Sequence, residues 1–401
     1  MAFGRNIDQR KANKKNHIVD LFRQHTFLSK ATARNYSRYS MDTIISVFND
    51  LIKNKIIMPV EGEQKTKGRR AIFYTLNNDK WHYLGITFNQ TGIYSAIISF
   101  SNIIKDKHYT ALKLGISKNE FLTALISHIK SILSRNKLYE KSVLSFGFSI
   151  PGDIDLKTGI LHSYTFMPFL KDVNFHEIIQ SNFPKIKITI EHNIHSMTSY
   201  LLREKELISS YTKILFISAR SGTGSGYINK GVIVTAHGEF GHIRVTDEDK
   251  PCICGRNGCL DCFFSYHGFI EILKQHSGKS DFITSLEEEL SGISILSEYY
   301  RKEKNEIAME LDHRLDYFSM ALLDVINVMV PDLVILTGDL FKVFNDPVEA
   351  VTKSIRRCYK DTGFVANYHN TSIQYKELST EIASIGICFE MIKNDWDYSV
   401  E

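Results

Sequence analysis

Apolar positions near the N-terminus recur at helical spacing. Ile18, Leu21 and Phe22 take the i, i+3 and i+4 positions of a helix over His17–His25, and a short second helix fits Ser29–Asn35 with Ser29 as its N-cap. After the turn Tyr36–Tyr39, Ser40 is a second N-cap, and Ile44, Val47, Phe48, Leu51 and Ile52 line one face of a longer helix. Two strands around a basic loop follow over Ile56–Asn77. Short helices, a turn, an amphipathic helix and a hairpin predict a winged helix-turn-helix, with the last helix suited to the major groove of DNA. From about Trp81 the period shortens. WHYLGITF, GIYSAIISF and HYTALKL predict a three-stranded meander, and Leu122, Ile126, Ile129 and Ile132 mark a helix after it. A strand ending in Pro151-Gly152 runs into a hairpin, Lys185–Asn193 is a further strand, and a helix over Ile194–Leu207 follows directly. The second half repeats the arrangement. Lys213–Val232 reads as strand, glycine loop and strand, helices follow up to Val330, PDLVILTGDLF is a buried strand with a Gly turn, and a terminal helix covers Thr380–Asp395. Strands alternating with helices predict an α/β body with a ligand crevice at the strands' carboxyl ends. Asn77–Asp79 is the expected hinge between the two parts.

Composition changes this picture in three ways. A chain of 401 residues is too long for one core, and its apolar, charged and aromatic fractions are those of a soluble protein. No apolar run approaches the roughly 20 residues of a membrane span, and the N-terminus lacks the apolar core of a signal peptide, so a cytoplasmic protein with no membrane insertion is expected. The overall charge of +4 divides unevenly, because residues 1–75 hold fifteen Lys and Arg against six Asp and Glu, a net of +9, which leaves −5 for the rest. A basic module on an acidic body points to nucleic acid. At the wing tip Lys65, Lys67, Arg69 and Arg70 are placed to meet phosphates or a narrow minor groove. Arg34, Asn35 and Arg38 suit phosphate contacts, and Met41, Asp42, Thr43 and Ser46 fall off the apolar face of the recognition helix toward base edges. None of these last four carries the bidentate readout of Arg, Asn or Gln, so base preference is not legible in them.

The cysteines are the third change. Cys252, Cys254, Cys259 and Cys262 fall in one short segment, a spacing that suits a metal in a reducing compartment better than a disulfide framework. His242 with Cys252, Cys254 and Cys259 makes the closed one-nitrogen, three-sulfur set of a structural tetrahedral Zn²⁺, with no open position for a catalytic water. Glu239 stands three residues before the histidine, where a carboxylate faces a ligand while the metal stiffens the loop. The glycines Gly222, Gly224 and Gly226 are read as a turn that lets backbone approach an anionic or hydroxyl-rich ligand.

In chain order, a winged helix, the Pro151-Gly152 turn, the strand end Glu191-His192-Asn193, the string GTGSG, GEFGH, C-x-C-G-x-x-G-C and PDLVILTG resemble the ROK family of repressors and sugar kinases. That resemblance covers nearly the whole chain, and the winged helix places it with the repressors. It implies an actin-like or hexokinase-like (RNase H-like) two-lobed α/β body behind the winged helix. It further implies a structural zinc, a sugar or sugar phosphate between the lobes, and a homodimer or dimer of dimers. The parts would be a DNA-binding domain over residues 1–77, a first lobe over 78–192 joined by the C-terminal helix 379–401, and a second lobe over 193–378 with the zinc loop and dimerisation helices. By the same match, Pro151 and Gly152 bring backbone to the sugar, His192 and Asn193 reach its hydroxyls, and Glu239 and His242 grip adjacent hydroxyls, with the other His242 nitrogen on zinc. Asp261 stands where the family usually has Glu, one methylene longer.

The departures from the kinase pattern are informative. The D-x-G-G-T phosphate loop is missing at Leu84–Thr87, the later glycine pair is reduced to Thr337-Gly338, and the general-base Asp is replaced by Asn193. An amide hydrogen-bonds a hydroxyl without deprotonating it. The expectation is therefore a sugar-responsive regulator of carbohydrate metabolism that binds operator DNA, needs no ATP and is not an enzyme. The alternatives are a ROK-type sugar kinase, or a regulator switched by a protein partner such as a sugar-transport component.

Overall fold

The computed structural model describes residues 2–60, 71–113, 115–137, 142–277, 286–302, 306–359 and 366–395. The N-terminal part comprises α1 (Ala2–Gln24), β1 (Leu28–Ser29), α2 (Lys30–Ser37), α3 (Met41–Lys53), β2 (Ile57–Val60) and β3 (Phe73–Leu76). Ser29 accepts the Thr32 amide while the Thr32 hydroxyl accepts the Ser29 amide, and the Ser40 side chain caps α3 by accepting the Thr43 amide, so both predicted caps set helix starts. The first helix begins far earlier than the predicted His17, at Ala2. A third strand was also hidden: two residues, Leu28 and Ser29, pair with β3 in the sheet order β1-β3-β2.

The body is one arrangement built twice. β4 (His82–Asn89), β5 (Gly92–Ser99), β6 (Ile104–Ala111), α4 (Lys118–Arg135) and β7 (Val143–Ile150) come first. A small sheet of β8 (Asp153–Asp155), β9 (Ile160–Ser163) and β10 (Val173–Asn174) leads to α5 (Phe175–Asn182) and β11 (Lys187–His192). The main sheet here runs β11-β7-β4-β5-β6, with β11, β7 and β4 parallel and the meander antiparallel. After α6 (Asn193–Leu201) and α7 (Lys205–Ser210), the chain forms β12 (Lys213–Ala219), β13 (Thr223–Asn229) and β14 (Val232–Gly238). Then come α8 (Tyr266–Ser277), α9 (Leu286–Arg301), α10 (Glu306–Met329), β15 (Leu333–Thr337), α11 (Pro347–Cys358), α12 (Ala366–His369), β16 (Ser372–Tyr375) and α13 (Ile382–Asp395). This second sheet, β14-β13-β12-β15-β16, has the same meander and the same run of three parallel strands as the first.

Three readings shift in detail. The third meander strand starts at Ile104, ahead of the predicted HYTALKL, and the single helix expected after His192 breaks into α6 and α7 around Leu202. Of the GTGSG glycines, Gly222 stands in the bend before β13, whereas Gly224 and Gly226 lie inside the strand. A Cβ on Gly226 would stand 2.1 Å from Thr198 Oγ1 and one on Gly224 2.6 Å from Ile194 Cγ1, so these glycines let α6 lie flat on the sheet.

Helix α13 ties the parts together. It leaves the second sheet, crosses α6 and packs on β4 and β7, its Met391 meeting the Ser145 hydroxyl. Ile385, Cys388, Met391 and Ile392 then join Phe22, Phe48, Leu51 and Tyr74 of the N-terminal part in one continuous apolar cluster with Phe100. The Arg23 guanidinium lies 4.7 Å from the Phe100 ring centre, and Lys205 donates to the Gln24 carbonyl at 2.9 Å. The expected hinge is itself held, since the Asn77 amide donates to Ile56 at 2.8 Å and Asp79 pairs with Lys105 at 3.0 Å. At the α6–α13 crossing, a Cβ on Gly386 would fall 1.7 Å from the Ser196 carbonyl oxygen. Gly386→Ala is therefore expected to push the helices apart and destabilise the fold by about 1–3 kcal/mol. Thermal unfolding should show a fall in Tm, and an unchanged Tm would show that the crossing yields without cost.

Candidate functional site

A cleft of about 1160 Å³ opens between the two main sheets at the carboxyl ends of β7, β11 and β12. All seven residues predicted to meet a ligand line it: Pro151, Gly152, His192, Asn193, Glu239, His242 and Asp261. Gly152 has φ +92, and a Cβ there would meet the Ser163 carbonyl at 2.5 Å, so only glycine makes this turn from β7. His192 ends β11 and its Nδ1 accepts the Ile194 amide at 3.4 Å, which makes His192, and not Asn193, the cap of α6. Asn193, the first helical residue, is left lining the cleft. Asp261 accepts the Thr223 amide at 2.9 Å and fills the space beside Gly241. Burial pushes its carboxyl up to about 7, against the pull of that amide.

The turn between β4 and β5 forms the opposite wall. Asn89 Oδ1 accepts the Thr91 and Gly92 amides at 2.9 and 3.1 Å and the Thr91 hydroxyl at 2.6 Å. These backbone donors are consumed by a side chain of the turn itself, in the place where a phosphate-binding loop would aim its amides outward. On the second lobe, sequence reasoning missed a polar group. Arg220 bonds Asp339 at 2.7 Å, the Tyr266 hydroxyl donates to Asp339 at 2.8 Å, and Lys342 bridges Asp339 and Glu377 at 3.2 and 2.6 Å. Burial opposes the charge on Asp339, but Arg220, Tyr266 and Lys342 together hold its carboxyl below the usual range. These residues are far apart in the chain, and only the Thr337-Gly338 turn signalled that a strand end lay there.

A cluster of His and Cys donors that could hold a metal sits against the same cleft. Ligand atoms of His242, Cys252, Cys254 and Cys259 all lie within 4.8 Å of one another. His242 Nδ1 is 3.5 Å from Cys252 Sγ, and Cys254 Sγ is 3.6 Å from Cys259 Sγ. A tetrahedral ion with bonds of about 2.0–2.3 Å has ligand edges of roughly 3.5–3.8 Å, so the donor set fits such an ion. Burial pushes the Cys259 thiol up, whereas hydrogen bonds from Arg256 hold Cys254 down. Three sulfurs this close are compatible as thiolates when a cation lies among them. His242 Nε2 points the other way, 3.8 Å from the Glu239 carboxylate, whose side chain is 70% exposed at the cleft. Cys262 instead approaches the Lys250 and Pro251 carbonyls, outside the set.

On the N-terminal part, Arg34, Asn35 and Arg38 are exposed where α2 ends, and Arg38 takes φ 58 to turn the chain toward α3. Asp42 and Ser46 are exposed on α3, Met41 and Thr43 are half-buried, and the Thr43 hydroxyl bonds Ser40 at 2.9 Å. Ile45 and Asn49 share the exposed face of α3 and were missed, although Asn49 is seven residues after Asp42 and so two turns along. Lys65, Lys67, Arg69 and Arg70 lie outside the described residues. Among the described residues, no helix is long and apolar enough to cross a membrane.

Comparisons with known proteins agree with this architecture. The chain is 24% identical over 366 residues to a xylose repressor of Caldicellulosiruptor bescii, with 88% of each protein covered. Among solved structures, a ROK family transcriptional regulator described as a homolog of the E. coli MLC protein superposes with a TM-score of 0.75 at 16% identity, covering 97% of each chain. A ROK hexokinase from Thermus thermophilus superposes with a TM-score of 0.60 at 14% identity, over 77% of this chain and 97% of that one. The body thus has the two-lobed, actin-like and hexokinase-like fold, and the N-terminal elements fit a winged helix-turn-helix. The model of the ROK family matches residues 83–387, and the protein belongs to the ROK family.

Proposed function

We propose that this protein is a sugar-responsive, DNA-binding transcriptional regulator without kinase activity. The observation that carries the reading is α13, one helix that packs on α6 at the cleft and also enters the apolar cluster of the N-terminal part. A ligand that closes the cleft moves α6 against the first sheet, and α13 passes that movement to the helices that hold DNA. Operator contacts come from Arg34, Asn35 and Arg38 on phosphates and from the exposed face of α3 on bases, to which Asn49 adds an amide suited to adenine. In the cleft, Glu239, His242, His192 and Asn193 bind vicinal hydroxyls, and Pro151 and Gly152 bring backbone to the sugar. Zn²⁺ held by His242, Cys252, Cys254 and Cys259 supplies rigidity; His242 fixes its Nε2 toward the sugar because Nδ1 faces the sulfurs. Asn193 lacks a basic lone pair, and the Asn89 turn keeps its amides to itself, which supports a binding role over phosphoryl transfer. The repressor named among its relatives supports the same reading. Chains of this kind acting on two-fold operators are homodimeric.

Fluorescence anisotropy with duplexes selected from a random-sequence pool tests the DNA arm. Selected duplexes should bind more tightly than scrambled ones, and log K should fall linearly with log salt with a slope of several units. Equal binding of scrambled duplexes at moderate salt would remove the regulator reading, and turnover of ATP with any hexose would replace it by a kinase.

A further inference from the structure

The charges that line the cleft discriminate between two kinds of effector. Among the described residues that line it, two side chains are cations, Arg220 and Lys342, and each is in an ion pair. One Arg220 nitrogen bonds Asp339 at 2.7 Å, another donates to the Leu378 carbonyl, and its Nε is buried without a hydrogen-bond partner, out of reach of solvent. Lys342 is held between Asp339 at 3.2 Å and Glu377 at 2.6 Å. Of the two histidines, His192 Nδ1 accepts the Ile194 amide and His242 Nδ1 faces the cysteine sulfurs. Against the two cations stand Asp153, Glu239, Asp339 and Glu377, without counting Asp261. The start of α6, which faces the cleft, is occupied from within by the His192 ring, and the Thr91 and Gly92 amides are taken by Asn89. A phosphate dianion entering this cleft would meet an excess of carboxylates, and it would have to break an existing ion pair to gain a cation. A neutral polyol meets the opposite situation, since carboxylates, amides and imidazoles are the groups that bind vicinal hydroxyls.

We propose that the effector of this cleft is an uncharged sugar and that the cleft rejects the corresponding sugar phosphates. The proposal rests on the reading of the cleft as a sugar site and narrows it to one class of ligand. Titration calorimetry of the full-length, zinc-loaded protein with D-xylose, D-glucose and N-acetyl-D-glucosamine, each beside its monophosphate, tests it. A free sugar should bind at least about tenfold more tightly than its phosphate, a difference of about 1.4 kcal/mol. A phosphate that binds as tightly as its parent or more so would overturn the proposal while leaving the sugar site in place. Binding of neither kind would overturn the proposal together with the sugar reading. Asp339→Asn releases Arg220 and Lys342 from one shared carboxylate, and the phosphate-to-sugar affinity ratio should rise by about tenfold in that variant. An unchanged ratio in a folded Asp339→Asn protein would contradict the charge argument.

Discussion

Cys254→Ser is expected to abolish stoichiometric metal binding and to lower the stability of the second lobe, the largest effect of any single substitution considered. Cys254 is the exposed corner of the cluster, so the change leaves no cavity and acts through the lost thiolate alone. The other three donors cannot close a tetrahedral sphere, and the loop from Gly238 to Cys259 loses the ion that joins its two ends. Structural zinc contributes about 10–16 kcal/mol in isolated finger peptides, but this loop is also anchored by bonds such as Val245 to Gly258 at 2.9 Å and Leu260 to Ile243 at 2.9 Å. A loss of about 3 kcal/mol is the fitting scale, or roughly 6–12 °C in Tm for a lobe of this size. Metal analysis and thermal unfolding on one sample check both halves. Full metal content with an unchanged Tm would show that the four residues are not a zinc site.

Glu239→Gln is expected to weaken sugar binding by at least about tenfold and to leave effector-free operator affinity unchanged. The substitution keeps the side chain's shape and removes the acceptor charge that stands 3.8 Å from His242 Nε2. Hydrogen bonds to a charged group are worth about 1.5–3 kcal/mol, which sets the tenfold floor. Because the side chain is 70% exposed, stability should be unaffected. Operator binding lost along with sugar binding would make Glu239 a structural residue of the Phe240–His242 turn.

What the sequence made legible was local. Serines at positions 29 and 40 marked helix starts because an N-cap acts over three residues. The cysteine spacing announced a His/Cys cluster that could hold a metal, because the closeness of such donors is a property of one short loop. The seven positions predicted to meet a ligand were read from local motifs, which the fold then gathers at one crevice. Hidden from the sequence were relations across distance. Arg220, Asp339 and Glu377 meet only because β12, β15 and the segment after β16 end side by side. The GTGSG glycines gave no sign that α6 would lie against Gly224 and Gly226, while Gly222 and Gly224 do line the cleft, as a ligand-facing turn would. Phe100 and Ile385 gave no sign that they would extend the core of the N-terminal helices, and so a hinge was expected where the parts are joined.

That joint carries the central claim, that occupancy of the cleft alters the grip on DNA. Coupling of this kind is reciprocal and is typically about 1–3 kcal/mol, or 5- to 150-fold in affinity. The direct measurement is operator affinity by anisotropy at fixed salt, with and without a saturating free sugar, on the native protein and on Glu239→Gln. The account predicts a sugar-dependent change of at least about fivefold in the native protein and a shift to higher sugar concentration in the variant. Identical operator affinity with the cleft filled and empty, in a protein that calorimetry shows to bind the sugar, would contradict it.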